Sequence, residues 1–357
     1  MDDLPPLNRP EPLAADLEVI PYRKRLGPEV AVDYLMQGHH VLVRDFYSSG
    51  LAILERLKSH LKQSSSDDSF SSQRERRGAF RELSNRLLLE VRGGRLTVRK
   101  APEIGWLSIL YPDTDEFLLP FGQVQGLNSA WQWRKKGISL PVLPDRIHPF
   151  YGTYFPTRFE HLQLLDDWLK GYAGGKTSAI DVGVGCGVIT YQLLNHGYER
   201  VRATDSNPNA IHGMRAAVEK KRLSSKVDLG WGDLFAGISQ PADLIVFNPP
   251  WLPLAPENEG IDQAMYYDAD LFPRFFAAAV KHLNPGGRLV LLFSNLAQVT
   301  GLTTTNPIVE ELEAGGRFVK ESLVTAPVTA ASKKTHRNQT WRENEQVELW
   351  VMQLPPD

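Results

Sequence analysis

Residues 178–190, SAIDVGVGCGVIT, run from an apolar strand through a glycine-rich turn into the start of a helix. Asp181 stands near the strand's end, and Gly183, Gly185 and Gly187 follow at alternate positions. Glycines so placed let the backbone turn tightly and approach a ligand before the helix begins. Downstream the pattern repeats. RVRATDSN (200–207) is a strand ending in turn residues, and PNAIHGMRAAVEKKR (208–222) opens with proline and carries helical periodicity. KVDLGWGDLF (226–235) and ADLIVFNPPW (242–251) are two more strands, LFPRFFAAAVKHLNPGG (271–287) is a helix closed by Asn-Pro-Gly-Gly, and RLVLLFSN (288–295) is a buried strand. Repeated βα units imply a parallel sheet with helices on both faces. RFVKESLVTAPV (317–328) and QVELWVMQL (346–354) end the chain with no crossover helix between them and are expected to be antiparallel to each other. The expectation is a Rossmann-like α/β domain over 148–357, with a mostly parallel seven-stranded sheet whose last strand is antiparallel, preceded by an α+β region over 1–147.

The first 147 residues are less regular. EVAVDYLMQ (29–37) and LAILERLKSHLKQ (51–63) read as helices, with HHVLVRDF (39–46) as a strand between them. SSSDDSFSSQ (64–73) is polar and rich in turn formers, so a loop is expected there. LLLEVRGGRLTVRK (87–100) and GWLSILYPDTDEFLLP (105–120) read as short strands joined by turns, with Gly93–Gly94 as a hairpin turn. Residues 74–100 hold nine Lys/Arg against three acids. That is either a phosphate-contacting face or the solvated outside of two strands.

At 357 residues the chain is long enough for two domains, and 42% apolar with 23% charged content is that of an ordinary globular protein. A formal charge of −2 gives no global basic field to draw in nucleic acid or an anionic membrane. A single cysteine, Cys186, excludes an intramolecular disulfide and fits a reducing compartment. The acidic, Pro-rich start MDDLPPLNRP is unlike a secretory signal, and no apolar run has the length of a membrane span. A cytoplasmic location without membrane attachment is expected. Nine scattered histidines form no close cluster with acids, so no metal site is expected. Oligomeric state is not legible.

The acids narrow the ligand. Asp205, ending the second strand of the series, is placed to accept hydrogen bonds from ribose hydroxyls, as in dinucleotide-binding folds. Asp181, however, lies immediately before the glycine loop, where its charge would repel a pyrophosphate. A ligand bearing an α-amino group and a sulfonium would be attracted there, so the loop suits S-adenosylmethionine better than NAD. Asp233, ending the third strand, is then a candidate acceptor for the adenine amino group. Cys186, inside the glycine loop, fills a place that calls for a small residue.

The strand ADLIVF delivers Asn248, Pro249, Pro250 and Trp251 to its carboxyl end, the side on which open α/β sheets bind ligands. With DVGVGCG, ATDSN, GDLF and IVFNPPW in this order, residues 150 to 353 resemble the class I SAM-dependent methyltransferases. More narrowly they resemble the branch with an Asn-Pro-Pro-aromatic motif. It includes the HemK-like glutamine methyltransferases and enzymes that methylate exocyclic amino groups of adenine or guanine. The resemblance implies methyl transfer to a planar nitrogen of protein glutamine or a nucleic-acid base. Asn248 and the Pro249 carbonyl would accept its two N–H groups, Pro250 would stiffen the turn, and Trp251 would stack on the planar group. The cofactor would be held by Asp181, Gly183, Gly185, Gly187, Asp205, Asp233 and Asn248. HPFYGTYFPTRFEHLQLL (148–165) occupies the place of a segment that closes over the cofactor, with Tyr154, Phe155, Thr157 and Arg158 as candidates for its methionine end; an aromatic linker packed on the sheet is the other reading. Lys333, Lys334, His336, Arg337 and Arg342, in the loop between the last two strands, either meet a polar substrate or are simply solvated. A small-molecule or peptide nitrogen and a non-catalytic SAM-binding scaffold are the alternatives. Residues 1–147 are the expected substrate-recognition region.

Overall fold

The computed structural model describes residues 4–63, 70–254, 265–329 and 343–356, with backbone alone for 70–75. The chain divides into two compact units, one of Asn8–Lys136 and one of Met1–Leu7 with Gly137–Asp357. The division falls ahead of the expected 147/148 boundary for a packing reason. Ile138 and Ile147 form a short antiparallel bridge, and Ile138, Leu140, Val142, Leu143 and Ile147 join the core of the C-terminal unit.

In the N-terminal unit, strands β1 (Ile20–Tyr22), β2 (Val41–Val43) and β3 (Leu87–Arg92) pair in parallel, and β3 also pairs antiparallel with β4 (Arg95–Leu96) and β5 (Glu116–Pro120). Helices α1 (Pro28–Met36), α2 (Tyr47–Gln63), α3 (Phe70–Ser84), α4 (Trp106–Ile109) and α5 (Phe121–Lys136) complete it. The Gly93–Gly94 hairpin turn forms as expected, both residues having positive φ (57° and 69°). Two expectations are corrected. Residues 70–73 open α3 instead of extending a loop; residues 64–69 are outside the described residues. The apolar run at 105–111 makes one turn of helix, not a strand, because its buried residues Trp106, Leu107 and Leu110 follow a helical spacing while Ser108 and Ile109 are exposed. The basic 74–100 segment is partly neutralised by ion pairs, Arg86 with Glu82 and Arg92 with Glu90 and Glu116.

The C-terminal unit carries α6 (Glu160–Gly171), β6 (Ser178–Val182), α7 (Val188–Asn195), β7 (Arg200–Asp205), α8 (Pro208–Lys220), β8 (Val227–Trp231), β9 (Ala242–Phe247), β10 (Leu252–Pro253), β11 (Tyr266–Tyr267), α9 (Leu271–His282), β12 (Leu283–Ser294), α10 (Leu296–Val299), α11 (Pro307–Ala314), β13 (Val319–Pro327) and β14 (Gln346–Gln353). Among the described residues its sheet has the order β13-β14-β12-β9-β6-β7-β8. All neighbours are parallel except β14, which is antiparallel to both β12 and β13. This is the expected seven-stranded sheet with an antiparallel last strand. One detail differs: Asn284-Pro285-Gly286-Gly287 does not follow α9 as a cap but interrupts β12, where the register with β9 shifts between Leu283 and Arg288. Pro285 has no N–H to give a ladder, so the strand must bulge there.

Strand periodicity builds two cores. Leu244 and Val246 of β9 face the cluster shared with α6, α7 and α8, whereas Ile245 and Phe247 face the cluster shared with α9 and α11. Each such fully buried side chain contributes about 1.5–3 kcal/mol. No described helix is long and apolar enough to cross a membrane. The basic residues expected in the loop between β13 and β14, Lys333 to Arg342, lie outside the described residues.

Candidate active site

Strand register brings the sequence motifs to one edge of the sheet. Val182 pairs with Thr204 on one side and with Phe247 on the other. Gly183, Asp205 and Asn248 are therefore the next residues of three adjacent parallel strands, side by side at their carboxyl ends. Leu291 pairs with Phe247, so Leu292 stands level with Asn248 on the other flank.

The glycine loop is fixed by its own hydrogen bonds. The Gly183 and Val184 N–H groups both donate to the Thr204 carbonyl, at 2.9 and 2.8 Å, and Gly187 N–H donates to Val184 O at 2.8 Å. Gly187, with φ +84°, leads into α7; a Cβ there would meet Met214 Sδ at 2.3 Å. Gly185, with φ +50°, donates its N–H to Asp205 Oδ2 at 2.8 Å. Asp205 Oδ1 accepts from Asn207 N–H at 2.8 Å. Its carboxylate is thus oriented by two backbone donors and keeps lone pairs for further hydroxyl donors. Burial nonetheless raises its pKa above the usual carboxylate value.

Asp181 is fully buried. Its Oδ2 accepts from Thr190 Oγ at 2.6 Å, and its Oδ1 has no partner among the described residues. Burial pushes its pKa up to about 7 against the opposing hydrogen bond from Thr190. A half-satisfied buried carboxyl beside a glycine loop is costly unless a ligand donor completes it. The ammonium of an amino-acid ligand is such a donor. The residues present therefore fit the methionine end of SAM at Asp181 and its ribose at Asp205.

Segment 150–155 lies across the loop. The Asn209 side chain donates to Tyr151 O at 2.9 Å and the Asn207 side chain to Gly152 O at 2.8 Å. The Tyr154 carbonyl would stand 3.4 Å from a Cβ on Gly185. Asn207 also caps α8, accepting from Asn209 N–H at 3.0 Å ahead of Pro208 at the first helical position. Thr157, a candidate cofactor residue, is exposed. Arg158 is directed elsewhere, to an ion pair with fully buried Glu345 at the start of β14's flank. Glu160 accepts from both the N–H and the hydroxyl of Thr329.

Asp233 follows β8 and is exposed. It is ion-paired to Arg274 of α9, which also meets Asp268 and Asp270. Cys186 is partly buried, and burial pushes its thiol up to about 12, which keeps it protonated and unreactive.

At the end of β9, Asn248 Oδ1 accepts from the Trp251 indole N–H at 3.2 Å, and the same N–H reaches Leu292 O at 3.3 Å. Pro249 is buried, and Trp251 packs against Leu252, Leu296 and Ala297. Trp251 thus has a partner inside the motif, beyond the stacking surface the sequence suggests. The sequence also gave no reason to single out Thr190, Arg274 or His161. His161 is 1% exposed and meets the Trp251 ring at 5.2 Å and 87°. Burial holds its pKa down to about 4, so the ring is neutral at pH 7.

Comparison with known proteins bears on the fold and the reaction. Residues 163–318 match the family described as the methyltransferase small domain. The C-terminal unit has the class I methyltransferase fold. A ribosomal RNA small subunit methyltransferase C from Alcanivorax borkumensis is 30% identical over 177 residues, 49% of this chain and 49% of that protein. A release factor glutamine methyltransferase from Cereibacter sphaeroides is 27% identical over 231 residues, 58% of this chain and 76% of that protein. A ribosomal protein L11 methyltransferase from Geobacillus kaustophilus is 29% identical over 139 residues, 39% of this chain and 37% of that protein. The match thus spans about half the length of the Alcanivorax relative.

Proposed function

We propose that this protein transfers a methyl group from S-adenosylmethionine to a planar amide or exocyclic amino nitrogen of a protein or nucleic-acid substrate. The observation that carries the reading is Asn248-Pro249-Pro250-Trp251 at the carboxyl end of β9, level with the glycine loop and with Asp205. The relatives' names include RNA, glutamine and ribosomal-protein methyltransferases, in keeping with such an acceptor.

The bound cofactor supplies an electrophilic methyl on a sulfonium. Asp181 would accept from its amino group, Asp205 from its ribose, and Asp233, once freed of its ion pair with Arg274, from its adenine. Gly183, Gly185 and Gly187 let the backbone approach. A planar nitrogen is a poor nucleophile because its lone pair is delocalised. Asn248 Oδ1 and Pro249 O accept its two N–H hydrogens, favour a pyramidal nitrogen and stabilise the positive charge that develops there. Pro249 and Pro250 fix the backbone so that both acceptors point one way before the substrate arrives. Trp251 presents its face to the planar group. No strong base is required, since the alkylated nitrogen loses its proton readily. Substrate selection falls to the N-terminal unit, which lies outside the 163–318 match.

The test is transfer of radiolabelled methyl from SAM to a cell extract fractionated into protein, RNA, DNA and small molecules, with Asn248→Ala as control. Label in the protein or a nucleic-acid fraction, lost in the variant, is expected. Label confined to small molecules would replace the substrate class. SAM binding with no label in any fraction would favour a scaffold.

A further inference from the structure

His161, the second residue of α6, brings a polar ring into the interior without satisfying it. It is 1% exposed, and neither Nδ1 nor Nε2 has a hydrogen-bond partner among the described residues. Leaving two buried polar atoms bare costs stability that a leucine or phenylalanine in the same space would not incur. Such departures from the stability optimum gather at functional sites. The ring's neighbour is informative. It stands perpendicular to Trp251, with centroids 5.2 Å apart.

The Trp251 N–H is shared between Asn248 Oδ1 at 3.2 Å and Leu292 O at 3.3 Å, and the ring also packs against Leu252, Leu296 and Ala297, so the tilt of the indole sets its contact with Asn248. The start of α6 that carries His161 is tied down through its sequence neighbours, Arg158 by the ion pair with Glu345 and Glu160 by its contact with Thr329.

We propose that His161 is a positioning residue for methyl transfer: its ring, packed perpendicular to Trp251, holds the indole so that the indole N–H keeps the Asn248 carbonyl aimed at the acceptor nitrogen. The inference rests on the reading of Asn248 given above. It acts through Trp251, so it makes no demand on substrate contact by His161 itself.

The contact can be tested apart from activity. In the full chain with 15N-labelled tryptophan, the Trp251 indole resonance is assigned by its loss in Trp251→Phe. Trp168 and Trp350 serve as internal controls for an intact fold. In His161→Leu the Trp251 N–H should shift and exchange about tenfold faster, the scale of one lost restraint on a hydrogen bond. His161→Phe, which keeps a ring at the contact and removes the bare nitrogens, should retain slow exchange. An unchanged Trp251 resonance in His161→Leu, with the control resonances also unchanged, overturns the proposal. Once a labelled acceptor fraction is in hand, His161→Leu should lower transfer about tenfold with SAM affinity unchanged. In a Trp251→Leu background the same substitution should cost nothing further. Full additivity there would overturn action through Trp251. Absence of methyl transfer by the wild-type protein, with the His161-dependent resonance present, would instead remove the proposed reaction.

Discussion

With Asp181 as the proposed acceptor of the SAM amino group, SAM binding should depend on pH in a direction that can be worked out beforehand. Its carboxyl is fully buried, and burial pushes its pKa up to about 7. Between about pH 4 and 7 the folded protein therefore holds a proton that an unfolded chain, with an ordinary Asp pKa near 3.9, has released. Stability of the ligand-free protein should fall as pH rises through that window and level off above it. Binding works the other way. A ligand ammonium beside Oδ1 favours the carboxylate, so below pH 7 association must expel the proton. Each pH unit below the pKa then costs about tenfold in affinity, about 1.4 kcal/mol. SAM should bind about tenfold more weakly at pH 6 than at pH 7.5, and a proton should be released on binding at pH 6. Calorimetry in two buffers of different ionisation enthalpy measures that release directly. Asp181→Asn should abolish it and flatten the profile between pH 5.5 and 7.5. If the variant keeps the same slope, or the wild type releases no proton at pH 6, Asp181 does not meet the ligand's amino group.

Removing the hydroxyl that supports this carboxyl, in Thr190→Val, leaves Asp181 only the Thr190 backbone N–H; the midpoint of the pH profile should move upward and affinity at pH 7 should fall, by about 1.5–3 kcal/mol if the whole charge-assisted bond is lost. Asn248→Ala should leave SAM affinity nearly intact while raising the transfer barrier by about 2–4 kcal/mol in single-turnover measurements; equal loss of binding would count against its assigned role. Gly187→Ala combines a left-handed backbone with a Cβ 2.3 Å from Met214 Sδ, so thermal unfolding should show a loss of about 1–3 kcal/mol. Arg158→Ala leaves the buried Glu345 carboxylate without its guanidinium, and denaturant titration should report a loss of about 3–5 kcal/mol that Glu345→Gln in the same chain partly restores.

The sheet was legible because its strands and their ends are written locally. Alternating burial in Leu244–Phe247, the Pro208 helix start and the glycine turn after Val182 each depend on residues adjacent in sequence. The one-turn helix at Trp106–Ile109 was not, because seven apolar-rich residues carry too few periods to separate a helix from a strand. Nor was the bulge at Asn284–Gly287, where the same Pro-Gly pair that ends helices elsewhere sits inside a strand. The site divides along the same line. Asp181, Asp205 and Asn248 announce themselves because each ends a strand, and a parallel sheet necessarily gathers strand ends on one side. Thr190, Arg274 and His161 meet Asp181, Asp233 and Trp251 across 9, 41 and 90 residues of chain respectively. No local pattern marks a partner at such a distance. What the sequence supplies is the groups proposed to meet the ligand; what only the fold supplies is the groups paired or packed against them. A single chain's motifs therefore point to the chemistry of the site more readily than to the residues that tune it, and it is on the latter, through Asp181's protonation and Trp251's orientation, that rate and affinity should turn.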